Sequence, residues 1–149
     1  MTSKEQSSTP KQDAPQNDHF LQFLVNIVNN STCEFEIRIT LQVSGMLVSG
    51  HLVNSQAFFN SFGNKFTSAF EDSTHAETIR KSFSEFSVIT REGSEQQAHD
   101  AQPQYIHIKN GHFFNTAGKP IPRNKGVWWR GRICEVGGFF LGTLIAEHS

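Results

Sequence analysis

The 149-residue chain is short of charge, of cysteine and of long apolar runs. Charged residues make up 18% and the formal net charge is −1, so no global field draws a nucleic acid or an anionic membrane, and any basic site must be local. Nucleic acid is accordingly disfavoured as a partner. No apolar stretch approaches the roughly 18 residues that would mark a membrane span. Two cysteines, Cys33 and Cys134, occur without an apolar h-region in residues 1–17, which predicts free thiols in a reducing cytoplasm. Tyrosine occurs once against 14 phenylalanines, which predicts a core of large rings without a polar handle.

Catalytic and metal-binding patterns are missing as well. His19, His51, His75, His99, His107, His112 and His148 show neither H-x-H nor H-E-x-x-H spacing, and the cysteines stand far apart with no paired neighbour. His107 and His112 would straddle a hairpin turn, but two ligands do not make a metal site. There is no P-loop, no dinucleotide fingerprint and no nucleophile elbow. Cys134 beside Arg132 reads as a free thiol without a base. These gaps argue against an enzyme and imply no metal or cofactor.

What is present predicts one α+β domain over residues 18–149 behind a disordered tail, residues 1–17, which has almost nothing apolar to offset the entropy of ordering. Asp18 is placed to cap a helix running to Asn30, with Phe20, Leu21, Phe23, Leu24, Ile27 and Val28 at helical spacing. Covering the open end of a sheet is its expected role. Residues 33–43 alternate strictly as a strand, Ser44-Gly45 turns the chain, and Met46 to Val53 returns with Gly50 permitting a sharp bend. Asn54-Ser55 opens a helix in which Phe58, Phe62, Phe66 and Phe70 stand four apart, a spacing typical of core. Thr74 to Glu77 matches a capping box, and a second helix is expected to reach about Ser87. This helical pair forms an insertion between strands two and three. Residues 91–103 read as a polar loop.

Tyr105 to Lys109 and His112 to Asn115 read as strands joined by a type I′ turn at Asn110-Gly111. Thr116 to Lys125 is a surface loop carrying Lys119, Arg123 and Lys125. From Val127 to Ile145 the sequence predicts two strands joined by Gly137-Gly138, which would supply the positive φ angles of a two-residue hairpin. On the first of them Trp129, Gly131 and Ile133 share one face, and Trp128, Arg130 and Arg132 the other. Trp128, Arg130 and Arg132, joined by Lys119, Arg123 and Lys125, form the candidate interaction surface. Planar donors beside an aromatic ring could hold an anion, an acidic partner or a stacked base. An ordinary strand with snorkelling arginines is the competing reading. Gly45, Gly50, Trp129, Gly131, Gly137, Gly138, Phe139 and Gly142 are the expected structural positions. The order of elements predicts a strongly bent antiparallel sheet, a small barrel or half-barrel of the Sm or SH3 type, by fold analogy. Unpaired sheet edges and an exposed Trp128 predict a homo-oligomer.

The string Trp129-Arg130-Gly131-Arg132-Ile133, followed by Glu135-Val136 and Gly138-Phe139-Phe140-Leu141-Gly142, resembles the C-terminal signature of the gas vesicle accessory proteins called GvpU. Gly45 to Val53 and Ile106 to Asn110 resemble two further segments of that family, in the same order. The resemblance runs over roughly residues 18 to 146. It implies a non-catalytic cytoplasmic protein, located at or near gas vesicles, that contributes to their organisation and clustering. Its contacts would be with the gas vesicle shell, with other accessory proteins or with copies of itself. An Sm-like RNA-binding ring subunit is the alternative suggested by the barrel-like order and by Arg130-Gly131.

Overall fold

The computed structural model of the protein describes residues 16–31, 35–92 and 102–145. The expected tail therefore lies almost wholly outside the described residues, as do Cys33 and most of the loop expected over 91–103. Asp18 accepts hydrogen bonds from the backbone N–H groups of Phe20 (2.9 Å) and Leu21 (3.3 Å), which starts α1, His19–Asn30. β1, Ile37–Val43, and β2, Met46–Val53, form a hairpin whose turn has positive φ at Ser44 (50°) and Gly45 (78°). The Asn54 carboxamide caps α2, Ser55–Thr67, by accepting from Ala57 N–H at 2.7 Å. Asp72, rather than the expected Thr74, caps α3, Ser73–Glu92, through the Thr74 N–H at 2.9 Å. That helix also continues past Ser87 to Glu92.

β3, Tyr105–Phe114, is one ten-residue strand where two were expected. Asn110 does take the left-handed backbone (φ 54°) that the Asn-Gly pair announces, yet the chain does not reverse. Ser49 pairs with His112 and His51 with Lys109, so Gly50 alone opposes Asn110 and Gly111 in a β-bulge. The local dihedral signal is spent on a kink, because β2 offers a partner to both halves of β3.

β4, Pro120–Ile121, and β5, Val127–Arg132, lie end to end on the other edge of β3, and β6, Val136–Leu141, pairs with β1. The result is a six-stranded antiparallel sheet with three helices, an α+β fold. β5 and β6 thus sit on opposite edges, and only a 3₁₀ turn, Ile133–Glu135, joins them. In a flat sheet those edges would stand about 19 Å apart, four strand spacings of about 4.8 Å. A 3₁₀ turn rises about 2 Å per residue, so the sheet must curl strongly to let three residues make the connection. Ile133 is fully buried and its N–H bonds to Gln104 O (2.9 Å), which ties this corner to the start of β3.

No ladder joins β5 to β6 among the described residues, so the sheet is curled but open. The closed Sm- or SH3-type barrel is corrected accordingly. The Gly137-Gly138 hairpin is corrected too: both glycines lie inside β6, with neither at positive φ. Val43 pairs with Val136 and Gln42 with Gly138, so Gly137 is the extra residue of a second bulge. Pairing of β6 with β1 leaves it no role in turning back on β5.

One face of the sheet carries the core. Ile39 and Leu41 of β1, Val48 and Leu52 of β2, Ile106 and Ile108 of β3, and Ile133 pack with Leu21, Val25 and Val28 of α1. The opposite face receives α2 and α3 at the β3–β5 side, through Phe58 and Phe59.

Candidate functional site

Alternation along β5 puts Trp128, Arg130 and Arg132 on the face away from the core, and α2 reaches over part of it. The Arg130 guanidinium lies 3.5 Å from the Tyr105 ring centroid and 5.8 Å from that of Phe59, held between a strand and a helix. Trp128 faces Phe58 at 6.4 Å and Lys109 Nζ at 5.8 Å. Arg132, opposite Tyr105, is exposed at the end of the sheet.

The three loop cations precede β5 in the chain. Lys119, Arg123 and Lys125 are exposed, and Lys119 precedes β4, whose Pro120 pairs with Phe114. Arg132 pairs with Tyr105 at the other end of β3, about 30 Å away at 3.3 Å per residue. Lys119 and Arg132 therefore stand at opposite ends of β3 and do not share one basic patch. Glu36 accepts from Lys109 Nζ and pairs with His51 Nδ1, both at 3.1 Å, and the Lys109 hydrogen bond holds its carboxyl below the usual range. Among the described residues neither Arg130 nor Arg132 makes an ion pair. Lys109 and Glu36 also line a groove of about 340 Å³ beside Trp128, where their charges already offset each other.

At the expected structural positions, two glycines answer to crowding. A Cβ on Gly50 would stand 2.5 Å from Ile108 Cγ2 and 2.8 Å from Lys109 O. One on Gly131 would enter the ring of Trp129, 2.5 Å from Cζ2 and 2.8 Å from Cζ3. Trp129 and Phe139 are partly buried against the core, and Trp129 meets Phe113 edge-on at 6.3 Å. Gly142 ends β6 with φ 109°, donating to Arg38 O and accepting from Thr40 Oγ1, both at 2.8 Å. Gly137 and Gly138 meet only the Gln42 carboxamide and backbone, at 3.7 Å or more.

Two features escaped the sequence reading. The first is a face shared by α1 and β6. Phe20 (62% exposed), Phe23 (58%) and Ile27 form a second apolar stripe on α1 beside the buried one, and Leu141 (64%) extends it on the edge strand. Phe20 touches Phe139 at 5.8 Å, which makes the helix stripe and β6 continuous. Neither His19–Asn30 nor Val136–Leu141 contains an Asp, Glu, Lys or Arg. The available signal was the seven apolar residues among twelve in α1, more than one buried face can use. Phe62 and Phe66 on α2 and Phe70 in the turn after it, expected in the core, are likewise exposed, and only Phe58 of that series is buried.

The second is His107. Its side chain is 4% exposed, with Phe58 at 4.8 Å and Phe59 at 5.7 Å between ring centroids, and with Arg130 as its cross-strand partner. Among the described residues neither Nδ1 nor Nε2 has a hydrogen-bond partner. Burial, and then the Arg130 charge, lower its pKa to about 3. Cys134 is a half-buried free thiol, and no cluster of three metal-ligating side chains occurs among the described residues. No described helix is long and apolar enough to cross a membrane.

A family model described as "Gas vesicle protein GvpU-like" matches residues 18–144. No curated protein and no solved structure matches the chain.

Proposed function

The chain belongs to the GvpU-like family of gas vesicle proteins, and we propose that within it the protein is a non-catalytic accessory factor that organises or clusters gas vesicles in the cytoplasm. It would act by protein–protein contacts, with copies of itself and with the vesicle shell or other accessory proteins. The observation that carries this reading is the charge-free face of α1 and β6. Phe20, Phe23, Ile27 and Leu141 are large and exposed there, and among the described residues β6 leaves one side of its backbone unpaired. At about 200 Å² for a full ring, these side chains offer on the order of 400 Å² per copy. Side chains of two copies would bury on the order of 800 Å², so the open backbone edge of β6 must add to the contact for it to reach the roughly 1,000 Å² of a specific interface. Two open strands can also pair edge to edge, which an apolar helix cannot offer.

The double replacement Phe23→Glu, Leu141→Glu tests the proposal, because both side chains are mostly exposed and their loss should hardly alter folding. Light scattering of the purified protein and microscopy of vesicle-forming cells are the readouts. Loss of association and of clustering, with the melting temperature within a few degrees of the wild type, is the expected result. Undiminished clustering would reject this face as the contact surface.

A further inference from the structure

The α2–α3 hairpin meets the sheet through few side chains, and the one beneath its first helix is an ionisable group that nothing in the docked arrangement can keep charged. Phe58 and Phe59 of α2 close over His107, and Phe86 of α3 backs Phe59 at 5.1 Å. We infer that His107 is a proton-operated latch: when its imidazole takes up a proton in mildly acid solution, the α2–α3 hairpin is released from the sheet, pivoting where β2 gives way to the helix cap at Asn54. This is independent of the proposed role at gas vesicles.

The geometry supplies every part of the device. An imidazolium needs acceptors for two N–H groups, and His107 has none at either nitrogen. Among the described residues, no carboxylate of the elements packed around it acts on the ring, and the one charge that does is Arg130. β5 contributes Arg130, a like charge, and β2 contributes Val53 opposite it, with His51 further along already bonded to Glu36. Its own strand adds Tyr105, stacked on Arg130, and Lys109, bonded to Glu36. α2 brings only phenylalanine rings to it, and α3 reaches the slot through Phe86, with Glu85 beside that residue exposed. Asn54 sits in extended backbone (φ −71°, ψ 156°), a joint between strand and helix.

The sign follows from linkage. The docked pKa of about 3 lies below the ordinary 6.5 that a hydrated imidazole regains on release. Docking is therefore fully favoured above about pH 6.5 and loses ground as pH falls toward the docked value. Between about pH 7 and pH 5 the release constant should rise about 25-fold. Glu36 and Asp72, whose carboxyl pKa values are lowered from 4.5 and 3.8, act only in a more acid range.

Amide hydrogen exchange of the full chain, corrected for intrinsic rates and read separately for residues 55–86 and for β1–β2, tests the latch. In the wild type the helical hairpin should exchange about 25-fold faster, relative to its intrinsic rate, at pH 5 than at pH 7, while β1–β2 stays unchanged. His107→Phe should abolish that pH slope. If this variant does not fold, His107→Gln, which is polar but cannot titrate, should abolish it equally. A flat wild-type profile, a slope that persists in the substituted protein, or the same slope in β1–β2 would each overturn the proposal.

Discussion

Gly131→Val should be among the most disruptive single substitutions on β5, although the position is only half-buried. The new Cβ would enter the Trp129 indole, with Cζ2 at 2.5 Å and Cζ3 at 2.8 Å, and the ring has no small adjustment that clears it. Trp129 must leave its place against the core and against Phe113. Re-exposing on the order of 100 Å² of ring at about 25 cal/mol per Å² costs about 2.5 kcal/mol. Valine's preference for strands returns up to about 1 kcal/mol, so the net loss is about 2 kcal/mol. For a chain of this size that is a fall of roughly 6–8 °C in melting temperature. Calorimetry reads the fall, and near-ultraviolet circular dichroism reads the displaced tryptophan. Gly137→Ala is the paired control. Its Cβ would make ordinary contact with Gln42 Oε1 at 3.8 Å, at a residue without positive φ, so stability should change by less than about 0.5 kcal/mol or rise slightly. A Gly131→Val protein that melts with the wild type, its tryptophan signal intact, would refute the packing argument.

The two outward arginines of β5 should separate in the same assay. Arg130→Ala gives up the contacts with Tyr105 and Phe59 and should cost about 1 kcal/mol, whereas Arg132→Ala, exposed and without an ion pair among the described residues, should fall within about 0.5 kcal/mol. Lys109→Ala removes the main cause of the lowered Glu36 pKa, so the Glu36 carboxyl should titrate at higher pH by nuclear magnetic resonance. Because that carboxyl's contribution is present above its unfolded value of 4.5 and fades as pH falls, the variant should lose under about 1 kcal/mol near neutrality and converge with the wild type in acid.

Local chemistry was legible in the sequence, and partnership was not. Asp18 and Asn54 start their helices as capping residues do, and the strict alternation after Phe35 gives β1 and its turn into β2. Asn110-Gly111 marks a real positive φ, but whether that angle closes a turn or kinks a strand depends on Gly50, some sixty residues away, letting two backbones approach. Gly137-Gly138 looks like a turn until β1 takes β6 as its neighbour. The same gap explains the site. Alternation predicts which side chains of β5 share a face, as Trp128, Arg130 and Arg132 do, but not that Phe59 of α2 comes within 5.8 Å of Arg130, or that Lys119 ends up at the far end of β3. His107 gave no signal at all: its period-two neighbours Tyr105 and Lys109 are more exposed, and its burial comes from phenylalanines on a separate helix.

The two layers flanking the sheet consequently answer to different solution conditions. On the α1 side the contact-ready face has no carboxylate, lysine or arginine on either of its elements, so salt has no fixed charge there to screen within its range of about 10 Å. On the α2–α3 side, Glu36, His51, Lys109, His107 and Arg130 crowd one surface of β1, β2, β3 and β5, and the hairpin rests on the one among them that is buried without a partner. Association through α1 and β6 should therefore be driven by apolar burial and be nearly indifferent to ionic strength, while the attachment of the helical hairpin follows pH. The stripe of Phe62, Phe66 and Phe70 moves with that hairpin, whereas the stripe of Phe20, Phe23 and Ile27 stays fixed to the core by Leu21, Val25 and Val28. A chain with one fixed and one releasable aromatic face can make a constant contact and a conditional one, and two contacts per copy are the minimum that links particles into clusters rather than pairs.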